Sequence, residues 1–358
     1  MIPYVEIRDK YTLKTVALVE PQECWFELSY NDCGEFEVYC NATQRNLIAL
    51  QKGRYVTIPN KRFIWVITSV RYTFAAGGAR MISAKGYEAK WLLNKRCILT
   101  PKELQGTIQS AIYGLVNHAL GTGANAARKI VGFTVDTTND LLIDITGTQA
   151  TRGNLFEFVN NLLKIYNCGS IVELVNGVLK YRVFTGEVKN NRVRFSQSLN
   201  NLLSSEYLTD DTKVATSVLV VSTVEDVEYE KDYNSNTELT GIDRAEIVVE
   251  SNLSTEYEPA DGGEKLKLDL TNENDMATYY GWLEEEGKTK LAELKTIEEV
   301  TGEIDIINSK YEFDQDFFIG DIVRVQDEYF NFGFNTKIIK YTIKQDAKGY
   351  GEEASYGD

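Results

Sequence analysis

The chain has 358 residues, enough at about 150 per domain for two to three domains and for more than one core. Hydrophobic residues make up 43% and charged residues 25%, the balance of a folded soluble protein rather than a disordered one. Against 38 Lys and Arg stand 53 Asp and Glu, a net charge of −15, which argues against a non-specific nucleic-acid binder and against an anionic membrane surface as partner. One histidine leaves no His-rich metal site, and five cysteines (24, 33, 40, 97 and 168) without a C-x-x-C pair read as reduced thiols. No stretch approaches the roughly 20 apolar residues of a membrane span. The start, Met1 to Glu6, lacks the basic and apolar regions of a signal peptide.

The first hundred residues read as strands. Tyr4–Arg8, Lys14–Glu20, Cys24–Tyr30 and Phe36–Tyr39 are short alternating or β-branched runs, with a turn at Asn31-Asp32-Cys33-Gly34. Leu47–Leu50 predicts a short helix, and Tyr55–Ile58 and Phe63–Tyr72 predict further strands. Gly77-Gly78 marks a hairpin leading into Met81–Lys85. Helical period follows: Ile108, Ala111, Ile112, Leu115 and Ala119 form one apolar stripe, ended by Gly121-Thr122-Gly123. Leu155, Phe156, Val159, Leu162 and Leu163 form a second. Ile171–Val175 and Val178–Phe184 flank Asn176-Gly177, the pair suited to a type I′ turn. A strand is expected at Val214–Val221. A polar, acidic stretch covers 225–275. A helix is expected over roughly Asp275–Thr296, with Gly287 as its weak point and Glu284-Glu285-Glu286 as a solvated face. Strands at Glu298–Ile307, Ile322–Val325, Lys337–Lys344 and Glu352–Tyr356 close the chain.

Two segments echo each other. Gly53-Arg54-Tyr55-Val56-Thr57-Ile58 resembles Gly320-Asp321-Ile322-Val323-Arg324-Val325. Each is followed by a strand ending in basic-Tyr-Thr, at Arg71-Tyr72-Thr73 and Lys340-Tyr341-Thr342, then by a glycine turn and a last strand near Gly86 or Gly357. Read as a structural duplication, the pattern gives two similar β-modules per chain, so that a trimer presents six and matches a threefold object to a sixfold one.

These residues resemble the baseplate hub, or tail-tip hub, family of long-tailed bacteriophages and related contractile particles. The resemblance rests on Trp25-Phe26 and Gly34-Glu35-Phe36-Glu37, on Gly53 through Ile58 with the Ile67–Tyr72 strand, on Gly86-Tyr87-Glu88 with Trp91-Leu92-Leu93, and on Gly320 through Val325 with Tyr356-Gly357. It implies a β-rich α+β multidomain fold. Two tube-type β-barrel or sandwich modules (1–96, and 201–225 with 298–358) would accompany an α+β domain (97–200) and an inserted acidic domain (226–297). It implies a homotrimer in the virion tail tip or baseplate, made in the host bacterial cytoplasm. The partners implied are the tail tube or distal tail protein, a tape-measure protein and other baseplate or tip proteins. Longer members of the family carry a lytic or receptor-binding extension; this sequence ends at Asp358, after the second module, and that activity is not carried over. Asp and Glu side chains of the modules are expected to face a lumen through which DNA or a tape-measure protein passes.

Candidate chemistry is thin. His118, at the edge of a helical stripe, lacks a nucleophile-elbow or Cys signature beside it. Gly121 to Ala126 fits G-x-G-x-x-A but follows a helix rather than a strand. Cys24, Cys33 and Cys40 lack the close pairing of zinc ligands, and Asp314-Gln315-Asp316 departs from a calcium loop where Phe318 stands. No catalytic residue, metal ligand or cofactor is therefore assigned. The candidate residues are interfacial: Tyr55, Arg71, Tyr72, Tyr329, Phe330, Phe332, Phe334 and Tyr341, because aromatics concentrate in interface cores. The run Tyr329 to Phe334 reads either as a loop tucked over its own barrel or as a subunit contact. The rival reading of the whole chain is a cell-wall hydrolase or carbohydrate-binding protein, for which 53 acids supply carboxylate pairs by abundance alone.

Overall fold

The computed structural model describes residues 2–74, 80–260, 263–294, 297–305, 309–329 and 332–357, and for 297–301 and 332 the backbone. The protein is β-rich, and thirteen of the described strands join one sheet. Alternation sets its faces. In Glu23–Ser29, Cys24, Phe26 and Leu28 are buried, while Trp25 and Glu27 stand half-buried on the other side.

Five antiparallel neighbours run in the order Glu23–Ser29, Glu35–Asn41, Met81–Glu88, Ile64–Thr73, Tyr55–Thr57. Val5–Arg8 and Thr15–Val19 extend that end. The same order of five recurs as Leu202–Asp210, Ile297–Ile304, Gly349–Gly357, Phe332–Asp346, Ile322–Asp327. The longest strand of each set carries a bulge, between Ile67 and Ser69 in one and between Ile338 and Lys340 in the other. Ahead of each set's shortest strand stands a left-handed glycine, Gly53 at φ +84° and Gly320 at φ +90°, a conformation that costs glycine no Cβ clash. The N–H of Gly53 donates to the Ile67 carbonyl at 2.7 Å, and the N–H of Gly320 donates to the Ile338 carbonyl at 2.7 Å. The return bonds, Ile67 N–H to Arg54 O and Ile338 N–H to Asp321 O, match as well.

The bulges also correct the register expected from sequence. Aligned on Ile67 and Ile338, Tyr341 corresponds to Val70, and Tyr72 to Ile343. Gly86, paired with Ile67, corresponds to Tyr356, paired with Ile338, rather than to Gly357. The two basic-Tyr-Thr triplets are two residues out of step. A slip of two keeps every side chain on its own face, so the likeness of the triplets survives the displacement.

The two sets are joined within the chain. The far half of Phe332–Asp346 pairs with Glu23–Ser29, from Lys340 opposite Ser29 to Gln345 opposite Cys24. One core runs beneath both: Phe26, Phe36, Trp65 and Ile67 belong to the same cluster as Val323, Ile338, Tyr341, Ile343 and Tyr356. A second core lies under helices Ile108–Leu120 and Leu155–Ile165, N-capped by Thr107 and Asn154. These pack with the hairpin Gly169–Val175 and Val178–Phe184, whose Asn176 and Gly177 take the expected positive φ angles of 50° and 78°.

A third core differs from expectation. The strand expected at 214–221 runs from Ser217 to Val224 and pairs with Val227–Asn234 and Glu246–Glu250, not with the large sheet. A boundary at 225/226 therefore falls in the turn Glu225-Asp226 of a hairpin. The acidic stretch forms strands because only one face of this small sheet is covered, by helix Glu273–Glu293, with Val218 and Val220 against Tyr279, Trp282 and Leu283. Gly287 sits at that contact, where a Cβ would lie 3.2 Å from Val218 and 3.3 Å from Val220, so close packing explains its place in the helix. Glu284 to Glu286 are not a solvated face. Glu284 pairs with Lys231 and Lys288, and Glu286 turns inward to accept from the Ser251 hydroxyl.

At Gly86 a Cβ would stand 1.9 Å from the Val66 carbonyl oxygen and 2.8 Å from the Phe36 ring. Gly86→Ala is expected to destabilise by about 2 kcal/mol or more. Gly114→Ala, on an open helix face with nothing within 4 Å, should be neutral or stabilising by up to about 1 kcal/mol. Urea unfolding of the two variants against the parent checks both signs.

Candidate assembly interface

One strand of the large sheet ends its order, and another outruns its short neighbour. Leu202–Asp210 stands last in the strand order, paired on one side with Ile297–Ile304. Its Leu203, Tyr207 and Leu208 are all at least half exposed. On the long strand Ile64–Thr73, Tyr55–Thr57 covers only Ile64 to Val66, while Met81–Glu88 covers the opposite side through Thr73. Beyond the bulge the strand projects past its short neighbour, with Arg71 exposed, Tyr72 48% exposed and Phe74 58% exposed under the Arg80 guanidinium. Apolar surface on projecting strand edges is the ordinary raw material of strand-to-strand assembly.

The expected interface residues divide. Arg71 and Tyr72 lie on this projecting segment, and Tyr329 is 89% exposed. Tyr55 is buried in the second core of its own chain, where desolvation pushes its phenol up to about 12. Tyr341 is buried too. It stacks on Phe313 with ring centroids 3.7 Å apart, and its hydroxyl donates to Glu352. Burial, then the Glu352 charge, hold its phenol well above the ordinary tyrosine value. Both are aromatic residues on strands, a character that buried and exposed positions share equally. Phe334 packs half-buried on its own core. Phe330 and the side chain of Phe332 lie outside the described residues.

Two features are only partly legible in the sequence. Strands are expected from about residue 200 onward, but Leu202–Asp210 has no readable bounds because Leu-Leu-Ser-Ser-Glu-Tyr-Leu-Thr-Asp does not alternate. Phe313, Phe317 and Phe318 form an aromatic cluster with Phe63, Phe184 and Tyr341, where only a failed calcium loop had been seen. Asp314 in that segment is bound to Arg62 at 2.5 Å, and the same guanidinium reaches Glu173 at 3.2 Å.

The sheet face away from the core carries a mixed-charge ladder. Glu37 accepts from Lys85 at 2.8 Å, Glu27 lies 3.8 Å from Lys340, and Lys344 bridges Glu303 and Glu353. These four acids of the two β-sets are thus met by lysines on nearby strands. Elsewhere, His118 is exposed at the wall of a cleft of about 600 Å³ that it shares with Asn117, Arg128 and Glu258. Gly121 caps its helix, and Asn117 accepts from the Gly123 N–H and the Thr122 hydroxyl, so the G-x-G-x-x-A segment serves as a helix stop. Among the described residues no helix is long and apolar enough to cross a membrane.

Residues 4–358 match the family described as Siphovirus ReqiPepy6 Gp37-like protein. The chain belongs to that family. The membership bears out the resemblance to phage tail-tip proteins read from the residues. The fold is shared with solved tail proteins. One, from Neisseria meningitidis MC58, superposes with a TM-score of 0.56 at 12% identity, over 99% of this chain and 96% of that one. Another, the 43 kDa tail protein of prophage MuSo2 from Shewanella oneidensis, gives 0.56 at 11% identity, over 99% and 98%. Among curated proteins none matches the sequence.

The thiols report on this packing. Burial pushes Cys24 up to about 12 and Cys40 and Cys168 up to about 11, and it holds Cys33 well above its ordinary value; Cys97 is exposed. A thiol reagent at pH 8 is expected to label one site rapidly in the native protein and all five after unfolding. Cys97→Ser should remove the rapid phase. Rapid labelling of Cys24 or Cys40 would mean that the underside of the large sheet is open.

Proposed function

We propose that the chain is a non-enzymatic structural hub of a phage tail tip: a homotrimer whose two β-modules per subunit present six copies of one motif to a sixfold tail tube. The observation that carries the reading is the recurrence of one five-strand order, with matching bulges and matching glycine hydrogen bonds, inside a single chain. Family membership and the fold shared with tail proteins support it. In this reading the modules are 1–96 and, in the second half, 201–210 with 297–358. The α+β unit is 97–200. The inserted unit is moved from 226–297 to about 214–294, because the strand Ser217–Val224 goes with it.

The partners would be the tail tube or distal tail protein on one side, other baseplate or tip proteins on the other, and a tape-measure protein within. The particle's tail tip would be the site of action, after synthesis in the host cytoplasm. The lysine-paired acids on the outer sheet face would line the lumen, giving it a hydrated, mixed-charge wall that offers phosphates no continuous basic surface.

Light scattering on a sizing column gives the test. Three copies of the 40.5 kDa chain, about 120 kDa, are expected. A monomer persisting at high concentration would overturn the symmetry-matching trimer.

A further inference from the structure

We infer that the strand Leu202–Asp210 of one copy pairs antiparallel with the projecting half of Ile64–Thr73 of the next copy, with Tyr207 opposite Tyr72. This deepens the proposed hub and rests on its trimer.

The template for the joint lies inside the chain. Phe332–Asp346 has three neighbours. Gly349–Gly357 runs along one side. On the other side Ile322–Asp327 covers the first half and Glu23–Ser29 covers the second, beyond the bulge. In the other five-strand set Ile64–Thr73 has the same two neighbours in the same places, Met81–Glu88 and Tyr55–Thr57. The segment beyond its bulge stands where Phe332–Asp346 receives Glu23–Ser29. The counterpart of Glu23–Ser29 is Leu202–Asp210, which pairs with Ile297–Ile304 as Glu23–Ser29 pairs with Glu35–Asn41. Each half of the duplicated joint is therefore present in every copy: Leu202–Asp210 ends the sheet order, and the segment of Ile64–Thr73 beyond its bulge outruns Tyr55–Thr57 near the other end.

The register follows by transfer. Ile343 stands opposite Phe26, and Tyr341 opposite Leu28. Ile343 corresponds to Tyr72 and Tyr341 to Val70 through the bulges. Phe26 pairs with Phe36, itself opposite Gly86; Tyr207 pairs with Val300, itself opposite Tyr356, so Tyr207 takes the place of Phe26 and Thr209 that of Leu28. The transferred joint puts Tyr72 against Tyr207, Val70 against Thr209 and Arg71 against Leu208, with Glu206 and Asp210 on the diagonals from the guanidinium. Lys340 meets Glu27 on the same diagonal in the template. Chemistry agrees with position. Phe26 and Ile343 are buried in the internal joint, whereas Tyr72 and Tyr207 are 48% and 55% exposed and would be covered by this contact. A head-to-tail contact of this kind closes a ring when its rotation permits, and the internal joint supplies the rotation between adjacent modules.

The test uses the full chain with Cys97→Ser as background, since that is the exposed thiol. Tyr72→Cys and Tyr207→Cys are combined, a short bismaleimide is added, and denaturing gels are read. Covalent dimer and trimer, replacing most of the monomer band, are expected. The pair Tyr72→Cys with Ile242→Cys, both exposed, should stay monomeric on the gel. A trimer by light scattering without a cross-link between 72 and 207 would overturn this pairing and leave the hub standing. Dimers from Tyr207→Cys alone would overturn it in favour of a two-fold joint between identical strands. A monomer in solution would overturn both readings.

Discussion

The pairing of Phe332–Asp346 with Glu23–Ser29 is the interaction on which the large sheet depends. These strands are more than 300 residues apart in sequence, yet they make two five-strand sets into one sheet above one core. Closing so long a loop costs entropy that grows only slowly with length, and the return is a continuous apolar layer. Phe26, Leu28, Tyr341 and Ile343 face that layer together, and the Phe313 ring stacked on Tyr341 extends it toward Phe63 and Phe318. Lengthening of the longest strand past its short neighbour creates the seat for this joint. The bulge at Ile339 turns the strand there, and the Ile339 carbonyl accepts from the Tyr30 N–H at the joint's end.

A buried ion pair fixes the same end of the joint. Lys90 and Glu88 are almost fully buried, 3.3 Å apart. The Lys90 ammonium donates to the carbonyls of Ser29 and Ser170, while Glu88 accepts from the N–H groups of Ser29 and Gly34. Burial raises the Glu88 carboxyl above its ordinary value, against the pull of Lys90. Such a pair adds little net stability over an apolar replacement, but removing one member leaves the other charge without compensation. Its value here is geometric: four backbone groups from the first β-set and the α+β hairpin are held to two side chains, which sets the angle between those units.

Much of this architecture is legible in the sequence. Alternation gave Glu23–Ser29 and its neighbours, three- and four-residue spacing gave the helices, and Asn176-Gly177 gave its turn, because each is a local rule acting on a half-covered element. The recurrence of one strand order is foreshadowed by Gly53 and Gly320, whose left-handed backbone only glycine adopts at no cost. Its register is harder to read: Tyr72 follows Gly53 by 19 residues and Tyr341 follows Gly320 by 21, and a slip of two leaves every side chain on its own face. The sheet that receives Ser217–Val224 is not legible for a related reason: the strand is apolar on its face whichever sheet receives it. The interface residues were the least legible. Tyr55, Tyr72 and Tyr341 have the same local character; the second core covers Tyr55 and Phe313 covers Tyr341, while the lengths of neighbouring strands leave Tyr72 exposed.

Those lengths carry the functional argument further than any residue type does. Tyr55–Thr57 spans three residues against the ten of Ile64–Thr73, so the longer strand outruns its cover. In the second set the same overhang is filled from within the chain. A protein that fills one of two equivalent overhangs with its own strand, and places the equivalent strand at the far margin of its sheet, has the parts of a repeating joint with one instance made internally. Natural β-proteins generally blunt exposed edges with charge, bulges or cover. Here Tyr72, Phe74, Tyr207 and Leu208 keep apolar surface exposed on or beside two such edges. In the proposed hub, these retained apolar edges are the surfaces that the next copy would cover, which is why they need no blunting of their own.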